Sequence, residues 1–211
     1  MAYLLQIQLK SVLVIENGKV ENVEGVNGLS ATLFYPKSGV PSVETVRTLK
    51  LKDKEPLDFS NKSFSDKLLF KQEIEGDTLL QVKLSAVEKV SKFEKVVVKL
   101  LGVAAVAAVG AITGVGAVFT AVAKSATGSI FEQADPKDTI NIIGEGEMPL
   151  TKDTPEGDFV VQLSVPQDIT LSQTKVEGDK KITTKIKLDK GFSNAMIVFE
   201  LKRLDKAEPI A

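Results

Sequence analysis

Leu100 to Ala123 is a run of 24 residues without a charge, flanked by Lys99 and Lys124. No other feature narrows the fold as much. As one helix the run would reach roughly 36 Å, and a bilayer core takes about 20 apolar residues to cross. Ten of its residues are strongly apolar: Leu100, Leu101, Val103, Val106, Val109, Ile112, Val115, Val118, Phe119 and Val122. On an insertion scale they supply roughly −3 to −6 kcal/mol, and the Ala, Gly and Thr between them add little. Insertion is therefore marginal, which suits a chain that is soluble first and membrane-bound later.

Helical spacing begins just upstream. Ser91-Lys92-Phe93-Glu94 fits a capping box, and Phe93, Val96, Val97 and Leu100 follow on one face. Small residues form a ridge through Ala104, Ala107, Ala111, Gly114, Ala117 and Ala121, and Gly110 with Gly114 makes a GxxxG. Thr113-Gly114-Val115-Gly116 would also break the helix, giving two of about a dozen residues each, too short to span. Two readings stay open: a lipid-seeking segment, or a helix or hairpin buried between β-layers, since a helix apolar all round cannot face water. The residues that would meet lipid or a packing partner are Leu100, Val103, Val106, Val109, Gly110, Ile112, Gly114, Val118, Phe119 and Val122.

The flanks have a different period. Leu5, Ile7, Leu9, Leu13 and Ile15 fall on one side of a strand, with Gln6, Gln8 and Lys10 on the other, before a hairpin dipeptide at Asn17-Gly18. Further strands are expected at 31–35, 43–51, 67–75, 78–87, 138–148, 158–165, 180–188 and 194–204. Gly76-Asp77 between two of these reads as the turn of a hairpin. Glu-Gly-Asp recurs at 75–77, 156–158 and 177–179, each time before a strand-like run, as reuse of good turn residues. The expected fold is mainly β: an antiparallel β-sandwich with one central Ala/Gly-rich helix or helical hairpin. Its parts are 1–90, the apolar segment 91–130, and 131–211, with the two β segments completing one domain.

From Val96 to Gly128 the composition resembles the Ala/Gly-rich hydrophobic hairpins of colicin-type and other bacterial pore-forming proteins. The β-rich flanks resemble C2-like sandwiches. The first resemblance implies a chain that enters membranes, including as a pore-forming or toxin-like oligomer; the second implies a calcium-dependent lipid-binding sandwich.

Composition removes most chemistry. The chain has no His, no Cys and no Trp, and a formal net charge of −1. It lacks the usual general base, thiol catalysis, disulfides, and the standard zinc, haem and iron–sulfur ligands. The charge disfavours nucleic acid as a partner. Calcium has weak candidates in Asp135 and Asp138, and in Asp153, Glu156 and Asp158, without EF-hand spacing. Gly144-Glu145-Gly146 lacks the third glycine of a nucleotide loop, and its acid would repel phosphate. Lys83, Lys185 and Lys187 lie on polar strand faces that water is expected to cover. The N-terminus has no basic region ahead of an apolar core, so the chain is expected to be cytoplasmic or released without a cleaved signal peptide, and membrane-associated on the first reading. No enzyme and no cofactor are expected. The function is membrane association or insertion through the central segment, or alternatively a structural or interaction module, homo-oligomers included, whose central helix packs in the core or at a subunit interface.

Overall fold

A computed structural model describes residues 2–19, 24–87, 118–123, 140–177 and 180–204; for 118–123, 173–177, 180 and 181 the description is of the backbone. Strand takes up 74% of the described residues and helix 3%, which places the fold firmly in the β class. The strands are β1 (Ala2–Val14), β2 (Gly25–Lys37), β3 (Val40–Leu51), β4 (Leu57–Asp58), β5 (Leu68–Glu75), β6 (Thr78–Val87), β7 (Val118–Ala123), β8 (Ile140–Leu150), β9 (Gly157–Ser164), β10 (Ile169–Glu177), β11 (Lys180–Leu188) and β12 (Ser193–Leu204). A single turn of helix, α1 (Phe64–Lys67), capped by the Ser63 side chain, leads into β5.

Ten strands form one antiparallel sheet in the order β4-β1-β12-β9-β8-β6-β2-β3-β7, with β5 sharing β1 with β4. β10 and β11 pair with each other as a separate hairpin. Strands from before and after the uncharged run share this sheet: β12, β9 and β8 sit as one block between β1 and β6. The sheet is no sandwich. It curls into a half-barrel, and the β5 end folds back toward β2 and β3. Specific contacts hold that curl. Thr45 Oγ1 donates to Leu69 O at 2.8 Å, Lys37 lies 3.6 Å from Glu73, and the buried Arg47 guanidinium donates to the carbonyls of Ser65, Asp66 and Leu68. Alternate residues fill the concave side: Leu5, Ile7 and Leu9 on β1, Leu29, Ala31 and Leu33 on β2, Leu80, Val82 and Leu84 on β6, and Ile197, Phe199 and Leu201 on β12. A curled sheet packs its one apolar face on itself, so it needs no second sheet.

Three local expectations are corrected by this arrangement. In β1 the register slips between Leu9 and Ser11, so Val12 and Val14 point into the core where strict alternation assigned Leu13 and Ile15. The strands on either side of Gly76-Asp77 do not form a hairpin: β5 pairs β1, while β6 pairs β2 and β8. Asn17-Gly18 is not a tight hairpin turn but a buried junction. There Asn17 receives a bond on Oδ1 from the Lys19 amide and donates Nδ2 to Leu51 O, and its own amide donates to Asp53 Oδ1.

The largest correction falls on the central segment. Val118–Ala123, the end of the uncharged run, is a strand and not helix, and α1 is the only helix among the described residues. The reason is local. Val, Phe, Thr, Ala, Val and Ala in succession include three β-branched residues and an aromatic, which lose rotamer freedom in a helix and fit a pleated surface. β3 also offers an edge along residues 42–47 on which to pair. The rest of the expected helical segment, 91–117 and 124–130, lies outside the described residues.

Candidate functional site

The strands next to β7 are covered on both sides. β2, β3 and β6 are buried almost continuously, without the alternation of a half-exposed sheet. One face is the apolar core. The other is polar, because cross-strand neighbours share a face and here they are Glu145, Lys83 and Ser30 in one row, and Glu147, Gln81, Thr32 and Glu44 in the next. Lys83 is 1% exposed, with its Nζ 3.5 Å from a Glu145 carboxylate oxygen, and Glu44 is 5% exposed and accepts from the Ser30 hydroxyl. Gln81 Nε2 donates to Glu147 at 2.8 Å and to Glu145 at 3.4 Å. Buried charges persist only where partners offset their desolvation. Lys83 therefore differs from the expected solvated lysine, whereas Lys185 and Lys187 are exposed, Lys187 against Asp189 at 2.6 Å.

β7 extends this part of the sheet by one strand. Val118 lies opposite Arg47, Phe119 opposite Val46, Thr120 opposite Thr45, Ala121 opposite Glu44, Val122 opposite Val43 and Ala123 opposite Ser42. It is the last strand at its end of the sheet, so one edge is hydrogen-bonded to β3 and the other has no paired strand among the described residues. Natural edge strands carry Lys, Pro or a bulge to block further pairing. These six residues carry none of them. Of the residues singled out in the uncharged run, Val118, Phe119 and Val122 thus sit in an edge strand. Leu100, Val103, Val106, Val109, Gly110, Ile112 and Gly114 lie outside the described residues.

Among the described residues, the calcium candidates Asp153, Glu156 and Asp158 do not gather as a metal site. Asp158 is held by Lys10, whose Nζ lies 2.9 Å and 3.0 Å from its two oxygens, a hydrogen bond that raises the Lys10 pKa. Asp153 and Glu156 are exposed, and Asp135 and Asp138 lie outside the described residues. Among the described residues no three acidic, His or Cys side chains gather as a metal site. No helix among them is long and apolar enough to cross a membrane. Gly144-Glu145-Gly146 is part of strand β8, where its glycines lie against Leu163 of β9.

Sequence reasoning missed the residues that shape this region. Arg47 and Glu44 sit inside an apolar-looking strand, and Gln81 reads as an ordinary outward residue. Tyr35 has a left-handed backbone, φ 50°, at a bulge where the β2–β3 register shifts between Phe34 and Lys37. Tyr35-Pro36 ahead of Lys37 in a strand run was the one available signal, since proline interrupts a ladder. No protein-family model matches the chain, and no curated protein does either.

Proposed function

We propose that this chain is a non-enzymatic interaction module that self-associates by strand addition at the outer edge of β7, which has no paired strand among the described residues. The observation that supports it is the edge itself: Val118–Ala123 has β3 on one side, no paired strand among the described residues on the other, and no Lys, Pro or bulge within it. A second copy would present the same uncharged strand, so an antiparallel pairing about a two-fold axis buries no charge and completes both ladders.

Neighbouring residues of a strand aim their N–H groups at opposite edges. Of Thr120→Pro and Ala121→Pro, one therefore cuts the β3 ladder and the other the outer edge. Sedimentation of the full chain over a wide concentration range should show a dimer. One proline variant should lower the melting temperature, and the other should leave it near wild type and yield only monomer. A wild-type chain that stays monomeric throughout would overturn the proposal.

Lipid association is the second reading, because residues 100–117 ahead of β7 are still 18 uncharged residues, within the roughly 17–25 that cross a bilayer. It would take over if the wild-type monomer floated with liposomes and Val109→Asp abolished this. A charge at mid-span costs about 2.5–3.5 kcal/mol on the insertion scale, comparable to the whole driving force.

A further inference from the structure

The β10–β11 hairpin stands apart from the large sheet. Its nine-residue strands pair only with each other among the described residues, and at about 3.4 Å per residue they run roughly 30 Å. Leu171 and Leu188 are buried and anchor its base. Toward the turn Ile182, Thr183, Thr184 and Lys185 are all exposed in succession, so both faces of the ribbon meet water. A two-stranded ribbon open on both faces buries too little apolar surface to stabilise a fold. Its length therefore calls for something other than packing.

Charge is segregated onto this ribbon. Residues 169–190 hold six lysines and three acids, a net of +3, which leaves −4 for the rest of a chain whose total is −1. Register sorts these residues further. Thr170 lies opposite Lys187 and Ser172 opposite Lys185, so the four share one face. The same face continues through positions 183 and 181 and carries no Asp or Glu. Lys185 has no ion-pair partner among the described residues, and Lys187 lies 2.6 Å from Asp189, just past the end of its strand. Ammonium and hydroxyl donors without an acid among them are what phosphate oxygens accept from.

Three observations choose among the polyanions. Ile182, 46% exposed, stands on the opposite face from Lys185, so a lipid surface that met the lysines would leave it in water. Residues 169–190 contain no aromatic, so unpaired bases would find no stacking platform. The ribbon itself has two strands, and the major groove of B-form DNA, about 12 Å wide, admits a two-stranded ribbon, whereas that of A-form RNA is too deep and narrow. We propose that the β10–β11 ribbon docks on double-stranded DNA, with the Lys185 face against the phosphates. Contacts of this kind carry no base code, so binding is independent of sequence and sensitive to salt.

Fluorescence anisotropy of a short labelled duplex of mixed sequence, titrated with the full chain at low salt, tests this. Binding should saturate, and a second duplex of unrelated sequence should bind equally well. Three phosphates neutralised by Lys181, Lys185 and Lys187 give a slope of about −2.7 for log affinity against log salt. The double variant Lys185→Gln/Lys187→Gln, both exposed positions, should keep the melting temperature and reduce that slope to about −0.9. Lys62→Gln/Lys152→Gln removes the same charge from exposed positions outside the ribbon and should leave affinity and slope near wild type. No saturable binding to the duplex, binding to a single strand of the same length that is as tight, or an equal loss in the two double variants would each overturn the proposal. So would binding to phosphatidylserine vesicles that depends on Lys185 and Lys187 while the duplex is ignored.

Discussion

Replacing Arg47 with methionine is expected to destabilise the fold by about 4 kcal/mol, read as a lower urea midpoint with an unchanged slope. Methionine keeps the apolar stem but removes the donors that reach the carbonyls of Ser65, Asp66 and Leu68. These carbonyls belong to α1 and the start of β5, so the side chain ties β3 to the end of the sheet that curls back. Each carbonyl left without a donor costs about 1–3 kcal/mol, reduced where water reaches it. Lysine should recover only part of the loss, because a point ammonium cannot serve three carbonyls as a planar fork does. Burial pushes the Arg47 pKa down to about 10, against a smaller raising effect of Asp66. The sign follows from proton counting. Below that pH the guanidinium is charged in both the folded and unfolded chains and adds no pH slope; above it the unfolded chain binds more protons, so stability rises with pH until the ordinary arginine range is reached. The gap between wild type and Arg47→Met should therefore stay constant from about pH 6 to 9. A gap that narrows as the pH falls below about 5, where carboxylates take up protons, would mean that a carboxylate, not the carbonyls, is the main partner.

Gly146→Ala should cost about 3 kcal/mol or prevent folding, at the upper end of overpacking effects. A Cβ at this position would overlap the Gln162 carbonyl oxygen and come within 2.9 Å of Leu163 Cδ2 and 3.0 Å of Val161 Cγ1. The methyl ends could rotate away, but a backbone oxygen in β9 cannot, so the two strands would have to separate. Gly76→Ala is the contrast. Nothing lies within 4 Å of its added Cβ, and its penalty, about 1 kcal/mol, comes only from the φ of 88°. Thermal unfolding of the pair separates the two causes. A Gly146→Ala chain as stable as Gly76→Ala would show that β8 and β9 are not held this closely.

Much of the β character was legible from alternation alone. Leu80, Val82, Leu84 and Ala86 face one way in β6 as their period indicates, and Asn194–Leu204 anticipates β12 closely. What alternation cannot carry is the partner of each strand. Gly76-Asp77 looks like a hairpin turn, yet the pairing goes to β1 on one side and to β2 and β8 on the other, because long-range burial outweighs local turn chemistry. A one-residue slip at Lys10 likewise reverses which side chains of β1 are inside, and nothing in the residues announces it.

The candidate sites were harder to read. Val118 to Ala123 has a β-like composition, but the length of the uncharged run drew the helical reading over it. Gln81 and Lys83 alternate with apolar neighbours as residues on a wet face do, and only the cover on the second face makes them buried. Arg47 is legible as a charge in a strand, not as a clamp, since its carbonyl partners are close in space but 18 to 21 positions away in the chain.

Amide hydrogen exchange of the intact chain in lipid-free buffer tests most directly whether the uncharged run ends in a sheet edge. Residues 118–123 should be protected together with residues 42–47 of β3, and more weakly than the doubly paired β2. Free exchange at 118–123 in buffer, with protection gained only when liposomes are added, would contradict the strand assignment and the self-association built on it.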